Sequence, residues 1–377
     1  MKRRVLGAAL LAPAMLLTAC GSGEPAAAPR PHDGHTAHGS APPPPPAPLR
    51  AGERFVELSM PEAYTPKAPR GGNDEYRCFL VDPGLTAGAY LMGSQFQPQN
   101  AAIVHHAIFF RIDPGDAGQA RDVDTRDDGP GWTCFGNSGV GEEATWVATW
   151  APGGTETLLG DRLGYAMPAG SLLVMQVHYN LLGGGGSDRS GVRLRLSDGG
   201  PGFQALGSMR LAAPVELPCA AGETGDLCDR ERAVADVTER FGRPAERVLS
   251  GLERLCGPPD PGGTQHCDRT VTRPGTVHAL GGHMHLLGRS IRIELNPGTP
   301  GARTLLDVPA YDFDDQALRP LAEPLPLKAG DTLRVTCTHD ASLRAQLPAL
   351  KDTPPRYVVW GEGTADEMCL GLVVLTR

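Results

Sequence analysis

The stretch GGHMHLLGRS, Gly281 to Ser290, holds two histidines one residue apart, His283 and His285. Side chains at i and i+2 of a strand share a face, so both imidazoles can address one metal ion. Elsewhere His105 and His106 are adjacent, and His178 lies in an apolar run. A single strand histidine is more often a hydrogen-bonded core residue than a ligand. Five of them, with an adjacent pair and an i, i+2 pair, point to metal. Imidazole suits copper, zinc, iron and nickel alike; a thioether among the ligands selects copper, because soft sulfur favours Cu(I). Met368, in GTADEMCLGLVVL, is the candidate thioether, although most methionines simply fill core gaps. Neighbours in a regular strand face opposite ways, so His105 and His106 can hold one ion only where the chain bulges or leaves its strand. Three other histidines are expected not to be ligands. His278 falls on the opposite face of an unbroken strand from His283, His266 adjoins a cysteine in a turn-rich insert, and His339 ends a strand beside Asp340.

The elements that must position these residues are mostly strands. VHHAIFFRI (Val104–Ile112) reads as one, and SLLVMQVHYNLL (Ser171–Leu182) as another. In the latter Leu172, Val174, Gln176, His178 and Asn180 share one face, and Leu173, Met175, Val177, Tyr179 and Leu181 the other. Gln176, on the His178 face, is a candidate cofactor-binding group that would support the histidine ring. Residues 219–267 break the pattern. They read as two short helices, with Asp229 as cap, Gly242 as stop and Pro244 in a first turn. From residue 275 onward β patterning returns. Abundant glycine (49) and proline (36), with few long amphipathic runs, favour an all-β chain. The expected organisation is an N-terminal β-sandwich domain over 51–205 and a C-terminal one over 206–377, the latter carrying the helical insert at about 219–267.

The N-terminus bears on the compartment. MKRR precedes a short apolar run that ends in Leu17-Thr18-Ala19-Cys20, as in a bacterial lipobox. Residues 1–19 are therefore expected to be a signal peptide and Cys20 the lipidated first residue of an exported, envelope-anchored chain. Residues 20–50, rich in Pro, Ala and Gly, are expected to form a disordered linker, with a stiff run at Pro42–Pro46. His32, His35 and His38 form a small tract there, read either as solvated linker or as loose metal capture. The formal charge is −8, and about −11 without Lys2, Arg3 and Arg4; no basic stripe offers a nucleic-acid footprint. Besides Cys20 there are eight cysteines and no CxxC, which in an exported protein reads as disulfides rather than a zinc ribbon. For the four cysteines that bracket the insert three connectivities are open. An antiparallel helix pair would favour the nested one, Cys228–Cys256 inside Cys219–Cys267.

Taken in order, VHHAIFF, MQVHYN, GGHMHLLGRS and ADEMCL, with TCTHD before the last, resemble the copper type II, ascorbate-dependent monooxygenases. That family includes the peptidylglycine α-hydroxylating and dopamine β-hydroxylating enzymes. The resemblance spans most of residues 55–377 and implies two jelly-roll domains, each lending ligands to one copper. His105, His106 and His178 would hold an electron-supplying copper. His283, His285 and Met368 would hold the copper that meets O₂ and substrate, and so form the catalytic set. Cys337–Cys369 matches a family disulfide that would pin the strand bearing Met368, and Cys78–Cys134 is the natural pair in the first domain. The helical insert departs from the animal enzymes.

These readings converge on a lipid-anchored monooxygenase with two copper ions, hydroxylating an aliphatic C–H bond with O₂ and an external reductant such as ascorbate. The alternative is a non-catalytic surface lipoprotein that binds or delivers copper. Expected partners are O₂ and a small-molecule substrate, with no nucleic acid, no protein partner, and membrane contact only through the anchor. In amidating relatives an arginine two residues before the HxH pair grips the substrate carboxylate, helped by an asparagine and a tyrosine after the methionine. Gly281, Leu370 and Leu372 stand at those positions here. A carboxylate buried there would find no cation, so the pocket should refuse glycine-extended peptides and suit a neutral or weakly polar substrate.

Overall fold

A computed structural model describes residues 44–68, 73–141, 144–182, 184–313, 315–351 and 353–377. Cys20, the expected signal peptide and the histidines of the linker lie outside the described residues. Short alternating apolar runs pair into sheets here because each has one face to bury. A five-stranded antiparallel sheet has the order Trp132–Thr133, Asp74–Val81, Leu172–Asn180, Val104–Ile112, Thr145–Trp150. Its central strand, Leu172–Asn180, is buried along its whole length. Leu173, Met175, Val177 and Tyr179 enter the core against Leu91, Phe96, Val192 and Leu194 of a second sheet, which makes the first β-sandwich.

That second sheet continues beyond the first sandwich. Its path runs Glu53–Ser59, Gly191–Ser197, Ala89–Gln97, Leu163–Met167, Gln204–Ala212, Leu370–Thr376, Gly275–His283, Arg319–Leu327. The strand Gln204–Ala212 pairs in parallel with Leu163–Met167 on one side and antiparallel with Leu370–Thr376 on the other. The boundary expected at residue 206 therefore falls inside a strand that hydrogen-bonds to both halves. In the second half Leu211, Val277, Val373 and Leu375 pack against Ile291, Ile293, Leu333 and Val335 of a four-stranded sheet. The result is an all-β molecule of two sandwiches sharing one sheet.

Three sequence expectations are corrected. Residues 44–50 are fixed rather than spacer-like: the fully buried guanidinium of Arg195 donates to the carbonyls of Pro48 and Ala47, and Gln95 donates to that of Pro44. An extended proline-rich segment leaves its carbonyls free, and a buried arginine needs acceptors. The two helices expected in the insert are present within Arg230–Cys256, broken at the non-helical Gly242 (φ 69°) with Pro244 just beyond it, but Thr264–Thr270, expected inside the insert, is already a strand. The insert's cysteines pair locally, Cys219–Cys228 and Cys256–Cys267, in place of the nested Cys228–Cys256 and Cys219–Cys267. Each end of the helical run is thus clipped to its own neighbour in the chain. Cys78–Cys134 and Cys337–Cys369 form the other two disulfides. Among the described residues no helix is long and apolar enough to cross a membrane.

Candidate metal centre

The Val104–Ile112 strand pairs with Leu172–Asn180, and their register slips between Val104, opposite Tyr179, and His106, opposite His178. His105 is the extra residue of a β-bulge. That lets two adjacent side chains turn to one side, which a flat strand forbids. The three Nδ1 atoms converge: His105 to His106 3.2 Å, His105 to His178 3.1 Å, His106 to His178 3.4 Å. A point equidistant from three atoms so spaced lies about 1.9 Å from each, close to the ~2.0–2.1 Å of a metal–imidazole bond. All three residues are buried. Burial holds His106 and His178 below the usual histidine range, for His178 against the opposing pull of Asp74. Near neutral pH those two rings keep a lone pair for an ion.

The ring of His178 is oriented from its far side. Its Nε2 lies 2.9 Å from Asp74 Oδ1, which assigns the proton to Nε2 and leaves Nδ1 facing the cluster. Burial would raise the Asp74 carboxyl, but His178 and Thr364 hold it below its usual value. Tyr76 stacks on His178 at 4.1 Å between centroids, and its hydroxyl donates to Glu362 O at 2.7 Å. Gln176 does not play the part expected of it. Its Nε2 donates to Asn137 O at 3.1 Å and lies against the Cys78–Cys134 sulfurs, so it braces the disulfide. Residues i and i+2 share a face yet stand about 7 Å apart along a strand, too far for contact through a short amide.

The second set forms where the Gly275–His283 strand ends. Rings of His283 and His285 lie 5.2 Å apart at 85°, and His283 is 5.6 Å from His106, so the two sets adjoin. Each ring has its Nδ1 engaged: His283 with Gln316 Oε1, and His285 with Asp366 O at 3.1 Å. His285 Nε2 is buried with no hydrogen-bond partner and so has a lone pair to offer an ion. Burial and the neighbouring His285 push His283 down to about 3. Strand pairing sets His283 opposite Leu370. Beyond that last pair, the backbone N–H groups of His285 and Met368 share one acceptor, Glu367 Oε2. Glu367, fully buried, accepts from the backbone N–H of His285, Leu287 and Met368. Its burial opposes ionisation, yet His339 at 3.5 Å and these donors keep its carboxyl below the usual range.

The other histidines among the described residues stay outside both sets. His278 bonds Thr376 Oγ1; it is itself the bulged residue of its strand, so the unbroken strand assumed from sequence is not present. His266 is exposed on Thr264–Thr270, in a strand rather than a turn-rich loop. His339 is buried behind Met368, with Nε2 3.3 Å from its carbonyl oxygen. Asp74, Gln316, Asp366 and Glu367 are the functional residues the sequence reading missed.

A shallow cleft opens between the halves, lined by Leu91, Trp146, Tyr165, Leu318 and Leu372. Leu372 pairs with Gly281, and Leu318 sits 3.1 Å from where a Gly281 Cβ would be. Directly opposed residues of an antiparallel pair point the same way, so Gly281, His283, Leu370 and Leu372 share the face that looks into this cleft.

Residues 264–375 match the family model for the C-terminal domain of copper type II ascorbate-dependent monooxygenases. The matched segment contains His283, His285 and Met368; His105, His106 and His178 lie outside it and stand on geometry. No curated protein sequence matches the chain. Among solved structures the chain is similar to the infectious bursal disease virus VP2 subviral particle (11% identity, 89% of this chain and 74% of that one, TM-score 0.18). It is also similar to the coconut allergen cocosin (11%, 86% and 85%, TM-score 0.16) and to a Paenibacillus xanthan lyase (11%, 84% and 25%, TM-score 0.18). Likenesses this slight carry no argument.

Proposed function

We infer that this protein is a copper-dependent monooxygenase that hydroxylates an aliphatic C–H bond of a neutral, largely apolar small molecule, using O₂ and an external one-electron donor such as ascorbate. The observation that carries this reading is the pair of adjoining ligand sets. One is a three-nitrogen cluster of metal-binding dimensions; for the other, His283 adjoins that cluster and the matched segment carries His283, His285 and the buried Met368. Bound copper would supply the one-electron chemistry toward O₂. His105, His106 and His178 would hold one ion through Nδ1; His283 and His285, through Nε2, and Met368 would hold the other. Two imidazoles with a thioether favour the reduced ion, the form that meets O₂. Asp74, Gln316 and the Asp366 carbonyl hold protons on the outward ring nitrogens and so keep the inward ones basic. The apolar face of Gly281, Leu370 and Leu372 excludes water beside His283 and offers no counter-charge. Four disulfides accord with an exported chain, anchored by lipid at Cys20 in our reading.

The test is copper titration followed by O₂ uptake with ascorbate across a panel of candidate substrates. Two coppers per chain and substrate-dependent uptake with a hydroxylated product are expected. If no compound speeds uptake in the two-copper protein, the reading fails in favour of copper handling.

A further inference from the structure

The helix Arg230–Cys256 reaches the loop that precedes Met368, and its ionic contact there is a buried one. Arg240 meets Asp366 as a fork, Nη1 to Oδ2 at 2.8 Å and Nη2 to Oδ1 at 2.6 Å, while its Nε reaches Asp236 at 2.9 Å. Arg356 closes the network, with Nη1 3.0 Å from Asp366 Oδ1 and Nη2 2.9 Å from Asp236. The Asp366 side chain is 2% exposed. The loop is wound around it: Gly363 N donates to its carboxylate, and a Cβ at Gly361 or Gly363 would stand 2.7 or 2.9 Å from that carboxylate. The backbone oxygen of the same Asp366 accepts from His285 Nδ1. The clamped side chain and the acceptor that orients a ligand thus belong to one residue, with Glu367 and Met368 next in the chain.

The geometry points to Arg240 as a positioning residue for the His283, His285 and Met368 set, acting through Asp366; this rests on the metal reading above. A planar guanidinium holds a carboxylate in both distance and plane, which a lysine does not. Loss of the fork leaves Asp366 with Arg356 alone and lets its carbonyl drift from His285. The first set has its own supports in Asp74 and Tyr76, so it should be spared.

The test uses the full chain with Arg240→Gln, Arg240→Lys and, as control, Arg230→Gln. The control removes a bidentate ion pair to Glu216 from the first turn of the same helix, a pair that does not involve Asp366. Copper affinity per site is measured by competition with a Cu(I) chelator, and the Cu(II) sites by electron paramagnetic resonance. For Arg240→Gln we expect one of the two coppers to bind about ten- to a hundredfold more weakly, the other and its three-nitrogen spectrum being unchanged. Arg240→Lys should fall between, and Arg230→Gln should match the parent even if its melting temperature drops. If Arg240→Gln does not fold, the lysine variant decides by the same shift. Unchanged affinity at both sites, or an equal loss in Arg230→Gln, overturns the role while leaving the two-copper reading intact. A parent protein that binds no copper overturns both.

Discussion

At the scale of single residues, His178, His283 and His285 have identified partners on their outward nitrogens, and Met368 is the proposed ligand whose removal separates the two sets most cleanly. It is buried in the second core, and isoleucine keeps nearly its volume, so Met368→Ile should cost less than about 1.5 kcal/mol of stability. The Cys337–Cys369 disulfide still ties the adjoining residue. Hydroxylation should fail while His105, His106 and His178 retain their copper, as read by metal analysis and product formation; full activity would show that the sulfur is only filler. The histidines and this methionine were legible in the sequence because imidazole and thioether are rare and their spacing is local. Asp74 was not: it meets His178 across 104 residues, and a lone acid at a strand start carries no local signal. Asp366 and Glu367 stood inside the quoted ADEMCL, but nothing in the spelling says that one offers its carbonyl and the other its carboxylate.

At the scale of elements, the segment Gly361–Met368 is the piece both sets share. Thr364 donates to Asp74 from its backbone and its hydroxyl, Glu362 O takes the Tyr76 hydroxyl, and Asp366 and Glu367 serve His285. Strand periodicity reads such a loop as mere connection, because its work is done by backbone atoms and by acids pointing inward. The same reasoning explains the misplaced disulfides: cap and stop signals locate Asp229 and Gly242 well, but a glycine can kink a helix as readily as reverse it. Glu362 tests the electrostatics of the loop. Burial and the charge of Asp366 push its carboxyl up to about 7. An acid raised in the folded state favours folding fully only below its unfolded value of about 4.3, and that contribution is lost as pH rises through 7. Glu362→Gln should therefore be more stable than the parent at pH 8 by up to about 3 kcal/mol, with the gap shrinking toward pH 5. Denaturant unfolding at both pH values decides, and a gap independent of pH would count against the buried charge. The backbone oxygen that Tyr76 uses is untouched by the change.

At the scale of the molecule, one sheet runs through both sandwiches, and that continuity aims the second ligand set at the first. The Leu370–Thr376 and Gly275–His283 strands bury Val373, Leu375 and Val277 in their own core and turn Gly281, His283 and Leu372 toward the other half. Sequence alone gave two sandwiches, because alternation reports that a strand has a buried face; it does not report which strand lies beside it. The shared sheet has a consequence for substrate. The cleft beside that face is lined by Leu318, Leu372 and Trp146. Leu318 Cδ2 stands 3.1 Å from where a Gly281 Cβ would be, so an arginine there has to push it aside, and the cation already on this face, Arg210 opposite Leu372, is set over the Trp146 ring rather than at position 281. Desolvating an unpaired carboxylate costs several kcal/mol, on the order of a thousandfold or more in binding. Glycine-extended peptides should therefore give no ascorbate-dependent product, while an apolar compound with an activated C–H bond should. Gly281→Arg should not rescue the peptides, because Leu318 must first be displaced; only a smaller residue at 318 combined with that arginine gives the cation a place. Turnover of a glycine-extended peptide by the parent protein would refute the apolar pocket without touching the metal sites, since both copper sets would still be at work.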